Sequence, residues 1–212
     1  MDIHRLKDAI GRISATMAEN RDYLIELDQR NGDGDLGISM SEGYKAIAAW
    51  LGETTETDLG KALMKCSGIF NESAPSTLGT ITSFFLLAMA KALKGKTSAT
   101  LAEVAAAMEA GLAVVMEKAK SKPGEKTILD SVHPAVMALS EHVAEGTVDA
   151  FRHAAEAAAM GCENTKAMRS VHGRAAYYGE KSIGIVDGGA VVGMLIFRSV
   201  SDYLSAATGP DR

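Results

Sequence analysis

The feature that most limits what this chain can fold into is the spacing of its apolar residues. They recur at helical intervals in almost every segment, while β-branched runs are scarce. No segment calls for a strand, so the fold class is all-α. Leu101, Val104, Ala105, Met108, Leu112, Val115 and Ala119 form one stripe, and Thr100 with Glu103 supplies a capping box at its start. Val148, Phe151, Ala155, Ala158 and Cys162 repeat the pattern behind Thr147 as N-cap. Val191, Val192, Leu195, Ile196 and Tyr203 do so near the C-terminus.

Applied throughout, the same rules predict eight helices, at about residues 2–28, 35–51, 57–70, 77–94, 100–120, 128–145, 147–164 and 188–207. In the sixth, His133-Pro134 competes for the first turn, where proline costs no hydrogen bond. Short links at 52–56, 95–99 and Gly146 suit antiparallel neighbours and give an eight-helix antiparallel up-and-down barrel or bundle. Its 212 residues suffice for a single domain, 1–212, with a substantial core. The other four connections read DQRNGDGD, NESAPST, SKPGEKT and TKAMRSVHGRAAYYGEKSIGIVDGG. Helix alternation sends the connections after the first, third, fifth and seventh helices to one end, which is the candidate site.

Composition closes off several functions. A net charge of −5 with no basic cluster argues against a nucleic-acid partner. The longest uncharged stretch, 73–90, opens with Pro75, Ser76, Thr77, Gly79 and Thr80, so its apolar part is too short to span a membrane. The N-terminus lacks the continuous apolar run of a secretion signal, and the expected location is cytoplasmic. Cys66 and Cys162 sit far apart among Ala and Met and are expected to be core thiols.

Asp28, Asp33 and Asp35 fall in the run LDQRNGDGDLG, interleaved with glycines that let the backbone turn sharply and the carboxylates converge. Two carboxylates ~5 Å apart repel by roughly 3 kcal/mol at an effective dielectric of 20, so three stay ionised together only around a cation. Oxygen-only ligands favour Mg²⁺ or Ca²⁺, and few ligands with room for water and phosphate favour Mg²⁺. The competing reading is that Asp33 and Asp35 merely cap the next helix. An EF-hand is disfavoured: counted from Asp33, Ile38 stands where the loop needs glycine and Tyr44 where it needs the bidentate glutamate.

The second loop, with Ser76 and Thr77, opens a helix and presents hydroxyls and free N–H groups. It is either a phosphate seat or an ordinary cap. No complete Walker A pattern occurs, so a P-loop fold is excluded. Lys122, Pro123, Gly124, Glu125, Lys126, Thr127 and Asp130 make a third loop with the composition of a wet surface turn. The fourth is long for a bundle and carries His172, Arg174 and Asp187-Gly188-Gly189-Ala190. His172 has no orienting carboxylate that the sequence can identify.

Taken together, LDQRNGDGDLGISM at 27–40, Ser76-Thr77 with Phe84-Phe85, PGEKTILDSVHP at 123–134 and GRAAYYGEKSIGIVDGGA at 173–190 resemble the DhaL family, the nucleotide-binding subunits of dihydroxyacetone kinases. The resemblance spans nearly the whole chain. It implies an eight-helix barrel with ADP or ATP at one end, and two Mg²⁺ ions held by Asp28, Asp33 and Asp35. It also implies a nucleotide pocket made by Leu36, Gly37, Ser39, Ser76, Thr77, Ile128, Arg174, Asp187 and Gly189. The implied reaction is phosphoryl transfer to a short keto-sugar on a DhaK-like sugar-binding subunit, with no catalytic residue required of this chain. A phosphohistidine protein of the phosphotransferase system or ATP directly would supply the phosphoryl group. The resemblance is compatible with a homo-oligomer, and relatives hold a lipid-like ligand in the barrel interior. Leu36 stands where the family has histidine, and Pro75 and Leu78 stand where it has glycines, which removes donors from the phosphate seat. The alternative function is a non-catalytic regulatory binding module; a purely solubilising role for the acidic loop is the structural reading.

Overall fold

The computed structural model describes residues 1–30 and 32–207. Among them there are helices and no strands: α1 Ile3–Glu19, α2 Arg21–Gln29, α3 Leu36–Glu53, α4 Leu59–Ser73, α5 Thr77–Ala92, α6 Leu101–Ala119, α7 Leu129–Glu141, α8 Thr147–Asn164 and α9 Gly188–Ala207. The predicted first helix is two. Asn20 donates its side-chain amide to the Thr16 carbonyl at 2.8 Å, and its backbone N–H donates to the same oxygen at 3.1 Å. This closes α1 and starts α2. Apolar spacing continues across the break through buried Leu24 and Leu27, so periodicity alone does not register it.

The sixth predicted helix also differs. α7 begins at Leu129, keeps Pro134 in its interior and stops at Glu141, and 143–145 form a separate 3₁₀ turn. Pro134 has no N–H for the Asp130 carbonyl. That carbonyl faces Gly161 of α8, where an added Cβ would lie only 2.0 Å from it. Gly146, at φ 95°, takes the N-cap position of α8 in place of Thr147. The capping box holds as expected: Glu103 N–H donates to Thr100 Oγ1 at 3.2 Å and Thr100 N–H to Glu103 Oε2 at 2.7 Å.

Each helix packs on the next around a ring, α1 on α3, then α4 through α9 in order, and α9 returns to α1. α2 braces α3. α9 is the one helix among the described residues long and apolar enough to cross a bilayer, and it is a stave of this ring, with Val191, Val192 and Phe197 buried. The interior holds an apolar cavity of about 180 Å³ lined by residues such as Leu6, Ile10, Tyr44, Phe85, Met89 and Phe197. Cys66 and Cys162 are free and buried, and burial pushes their thiols up to about 12 and about 11. The tripeptide Gly95-Lys96-Thr97 lacks the Walker glycine, Ala90 standing in its place, and lies in the α5–α6 turn away from the end described next.

Candidate functional site

The four connections predicted to share one end do so. Asp28, Asp33 and Asp35 from the first, Pro75 and Ser76 from the second, Lys126 from the third and His172, Arg174 and Asp187 from the fourth line one open cavity of about 640 Å³.

The carboxylate loop is shaped by short-range hydrogen bonds. Gly32 N–H donates to the Asp28 carbonyl, and Gly34 N–H donates to Asp28 Oδ2 at 2.8 Å. A Cβ on Gly32 would lie 2.2 Å from Asp28 Oδ1, and Gly34 has φ +80°, so glycine is required at both positions. The turn brings ligand oxygens of Asp28, Asp33 and Asp35 within 4.8 Å of one another. Asp35 occupies the N-cap position of α3, but its side chain makes no capping bond. Its carboxylate is thus not consumed by the helix. Burial first, then the charges of Asp33 and Asp28, push its carboxyl above the usual range, with Arg174 opposing. Arg174 reaches across from the fourth loop to Asp33 Oδ2 at 2.9 Å.

Ser76 caps α5 by accepting the Gly79 N–H at 3.0 Å and donates its own hydroxyl to Ser39 Oγ at 3.1 Å. With the Gly79 N–H taken by Ser76 Oγ and the Thr80 N–H by the Ser76 carbonyl, Thr77 and Leu78 carry the first-turn N–H groups without a helical partner, and both residues line the cavity. Leu36, Thr77 and Asp187 also line the cavity, whereas Gly37, Ser39, Ile128 and Gly189 stand outside its lining. Ser39 is buried behind Ser76, and a Cβ on Gly37 would lie 2.1 Å from the Arg21 carbonyl, so Gly37 lets α3 approach α2. Ile128 lines the apolar interior cavity instead. A Cβ on Gly189 would lie 3.1 Å from both Asp187 Oδ2 and the Ile128 nitrogen. Leu36 is buried against Gly188, where a Cβ would lie 2.6 Å from its Cδ2; the residue is a packing contact between the first and fourth loops.

Asp187 caps α9 through the Ala190 N–H at 2.8 Å. Burial raises its carboxyl to about 6, the Ala190 hydrogen bond opposing, with Asp130 adding to the rise and Lys126 opposing it. His172 does have a carboxylate partner: its Nε2 lies 2.6 Å from Glu125 Oε2, a residue of the third loop. This bond, and the Lys122 N–H, hold the Glu125 carboxyl below its usual value.

Lys126 is the residue that sequence reasoning passed over. It is 4% exposed, and its ammonium donates to the carbonyls of Thr165, Met168, Ser182 and Ile185 at 2.8, 3.1, 2.7 and 2.6 Å. One cation thereby gathers both ends of the long fourth loop. Burial pulls the ammonium below its usual value, with Asp187 and Asp130 opposing. Asp130, itself buried, accepts the Thr127 N–H at 2.7 Å and the Gly124 N–H, fixing the third loop that presents Lys126.

Residues 31–202 match the family model of the DAK2 domain. The chain is 32% identical over 185 residues to the ADP-binding subunit DhaL of PEP-dependent dihydroxyacetone kinase 1 from Listeria innocua, covering 86% of this chain and 87% of that protein. It is 34% identical over 198 residues to triokinase/FMN cyclase of Rattus norvegicus, covering 92% of this chain but about a third, 34%, of that longer protein. The dihydroxyacetone kinase of C. freundii, crystallised with AMP-PNP and Mg²⁺, superposes with a TM-score of 0.75 at 22% identity, over 93% of this chain and 33% of that one, and so shares the fold.

Proposed function

Because the chain belongs to the DAK2 domain family, we propose that it is the nucleotide-binding subunit of a kinase acting on dihydroxyacetone or a related short keto-sugar. In this reading it holds ADP or ATP through Mg²⁺ bound at Asp28, Asp33 and Asp35, in a single domain formed by the whole chain. The observation that carries the reading is the acidic trio: three oxygen donors within 4.8 Å, with the Asp35 carboxyl pushed up by burial and by its neighbours' charges and not consumed by helix capping. Such a donor set fits a hard divalent cation, and two Mg²⁺ ions match three carboxylates facing a polyphosphate. The Listeria relative is named an ADP-binding subunit and the C. freundii kinase was crystallised with AMP-PNP and Mg²⁺, which supports a nucleotide with Mg²⁺.

Bound there, Mg²⁺ supplies charge neutralisation for an in-line phosphoryl displacement. The chain's own residues do the rest. The Thr77 and Leu78 N–H groups at the start of α5 would meet phosphate oxygens, and Arg174, which lines the same cavity, would be a further phosphate partner. No side chain in the mouth needs to accept the sugar's proton, so the acceptor and its base belong to a partner subunit. The fourth loop, which lines the mouth through His172 and Arg174, also carries exposed side chains suited to docking: Tyr177 is 92% exposed, and Val171, Tyr178 and Ile183 are exposed as well. A phosphohistidine protein would approach the same mouth. A cytoplasmic location accompanies this role.

Equilibrium binding of ADP with and without Mg²⁺, on the wild-type chain and on Asp33→Asn, tests the reading. The expected result is Mg²⁺-dependent binding weakened at least about tenfold by the substitution. ADP affinity indifferent to both refutes it. The apolar Leu36 and the N–H-free Pro75 in the mouth favour a second reading, a regulatory module that binds nucleotide without turnover. Adding a sugar-binding subunit, dihydroxyacetone and a phosphoryl donor separates the two by whether product forms.

A further inference from the structure

At the end of the barrel opposite the mouth, the α7–α8 connection brings together two histidines and a glutamate that the nucleotide site does not use. His142 closes α7, Glu145 lies in the 3₁₀ turn and His153 sits in the second turn of α8. The 13 residues of α7 put about 20 Å between this cluster and the mouth. Glu145 receives both rings: Oε1 lies 2.7 Å from His142 Nδ1 and Oε2 lies 3.2 Å from His153 Nε2. The imidazoles stack with centroids 3.8 Å apart at 17°. Donor atoms of all three residues fall within 4.8 Å of one another.

We propose that His142, Glu145 and His153 form a Zn²⁺ site that clips the α7–α8 turn, with a water completing the coordination. Two imidazoles and one carboxylate are a three-ligand zinc set. Imidazole donors select zinc-like transition ions over Mg²⁺, the reverse of the all-oxygen trio at the mouth. Tetrahedral bonds of about 2.0–2.1 Å separate donors by roughly 3.4 Å. The His153 Nε2–Oε2 distance of 3.2 Å is near this separation, whereas His142 Nδ1 meets the other oxygen, Oε1, at 2.7 Å, so the half-exposed Glu145 must turn to serve both nitrogens. The stack holds the two lone pairs in nearly parallel planes, so both rings must turn substantially about their Cβ–Cγ bonds before their nitrogens converge on one ion. Glu156 Oε2, 3.8 Å from His153 Nδ1, stands where a carboxylate orients a zinc-bound imidazole from behind.

One group opposes the metal. Arg152 Nη2 lies 3.2 Å from His153 Nε2, while Asp149 and Glu156 hold the same guanidinium at 3.3 and 3.1 Å. Arg152 is half-exposed and is the cation that zinc displaces.

The test is titration of the full chain with Zn²⁺ alone against a chromophoric chelator, at neutral pH and with excess Mg²⁺ present. One equivalent is expected to bind. His142→Gln, Glu145→Gln and His153→Gln should each weaken it at least about tenfold, Arg152→Gln should strengthen it, and Asp33→Asn should leave it unchanged. These side chains lie at the surface, and thermal melts of the metal-free variants check that folding is intact. Two results overturn the proposal: binding that survives the histidine substitutions, or binding that disappears with Asp33→Asn. Absence of any zinc affinity leaves only a hydrogen-bonded His–Glu–His cluster and refutes it as well.

Discussion

Lys126→Met is the substitution that most directly asks whether the mouth is assembled from its loops or merely bordered by them. Methionine keeps the length and apolar character of the stem and deletes the ammonium, leaving the carbonyls of Thr165, Met168, Ser182 and Ile185 without a common donor. A charge-assisted hydrogen bond is worth about 1.5–3 kcal/mol. The ammonium has only three protons for four acceptors, and water reaches some of the freed carbonyls. Each carbonyl left buried without a donor costs about 1–3 kcal/mol, so two such carbonyls put the loss at roughly 2–6 kcal/mol. Nearly all of this falls on the segment from Thr165 to Asp187, because α7, α8 and α9 keep their own packing. The expected phenotype is local: the loop opens while the barrel melts only slightly earlier. Hydrogen exchange should accelerate by about two orders of magnitude or more for Gly184 N–H, which donates to the Lys166 carbonyl, and for Ser170 N–H, which donates to Ser182 Oγ. Amides in α4 and α6 should keep their rates. Unchanged exchange across 165–187 would show that the loop is held by other contacts and that the four-carbonyl cage is incidental.

Two further substitutions test the elements around it. In Asp187→Asn, the amide oxygen still caps α9, but a carboxyl held at about 6 instead of 3.8 is gone. Because the folded-state value is raised, the contribution of Asp187 to wild-type stability is fully present below about pH 4 and is lost as pH rises through about 6. The variant should therefore be more stable by up to about 3 kcal/mol at neutral pH and equal to wild type in acid. Urea denaturation of both proteins from pH 4 to 8 reads this, and a gap independent of pH would contradict the assignment. Gly161→Ala places a methyl 2.0 Å from the Asp130 carbonyl and 3.0 Å from Pro134 Cγ. Overpacking of this kind costs about 1–3 kcal/mol, and a thermal melt indistinguishable from wild type would mean that α7 and α8 do not meet as closely as described.

The helical frame was legible because it depends on side-chain periodicity, a property each segment carries by itself. The α6 capping box, the start of α5 at Thr77 and the extent of α8 all followed from local patterns. What periodicity does not encode is an interruption made by one polar side chain without loss of phase. Asn20 ends α1 by bonding back to Thr16, yet Leu24 and Leu27 stay on the buried face. Pro134 is the converse: a residue that ordinarily stops a helix is carried inside one because Gly161 lets α8 press against the carbonyl left without its donor. Neither outcome can be decided without the neighbouring helix.

The same division runs through the site. Asp28, Asp33 and Asp35 announce themselves by charge density in a glycine-rich loop, since convergence there is a matter of a few bonds. His172 looked unsupported because its carboxylate, Glu125, lies in a different loop, and Lys126 looked like surface charge because its acceptors are backbone carbonyls, which every residue has. A backbone acceptor leaves no mark in the sequence. The physical consequence is that Lys126 can be recognised only from the closed ring that brings the α6–α7 and α8–α9 connections together, where its ammonium meets four carbonyls. It supplies no group to a ligand. It holds instead the two ends of the loop from which Arg174 reaches Asp33 at 2.9 Å.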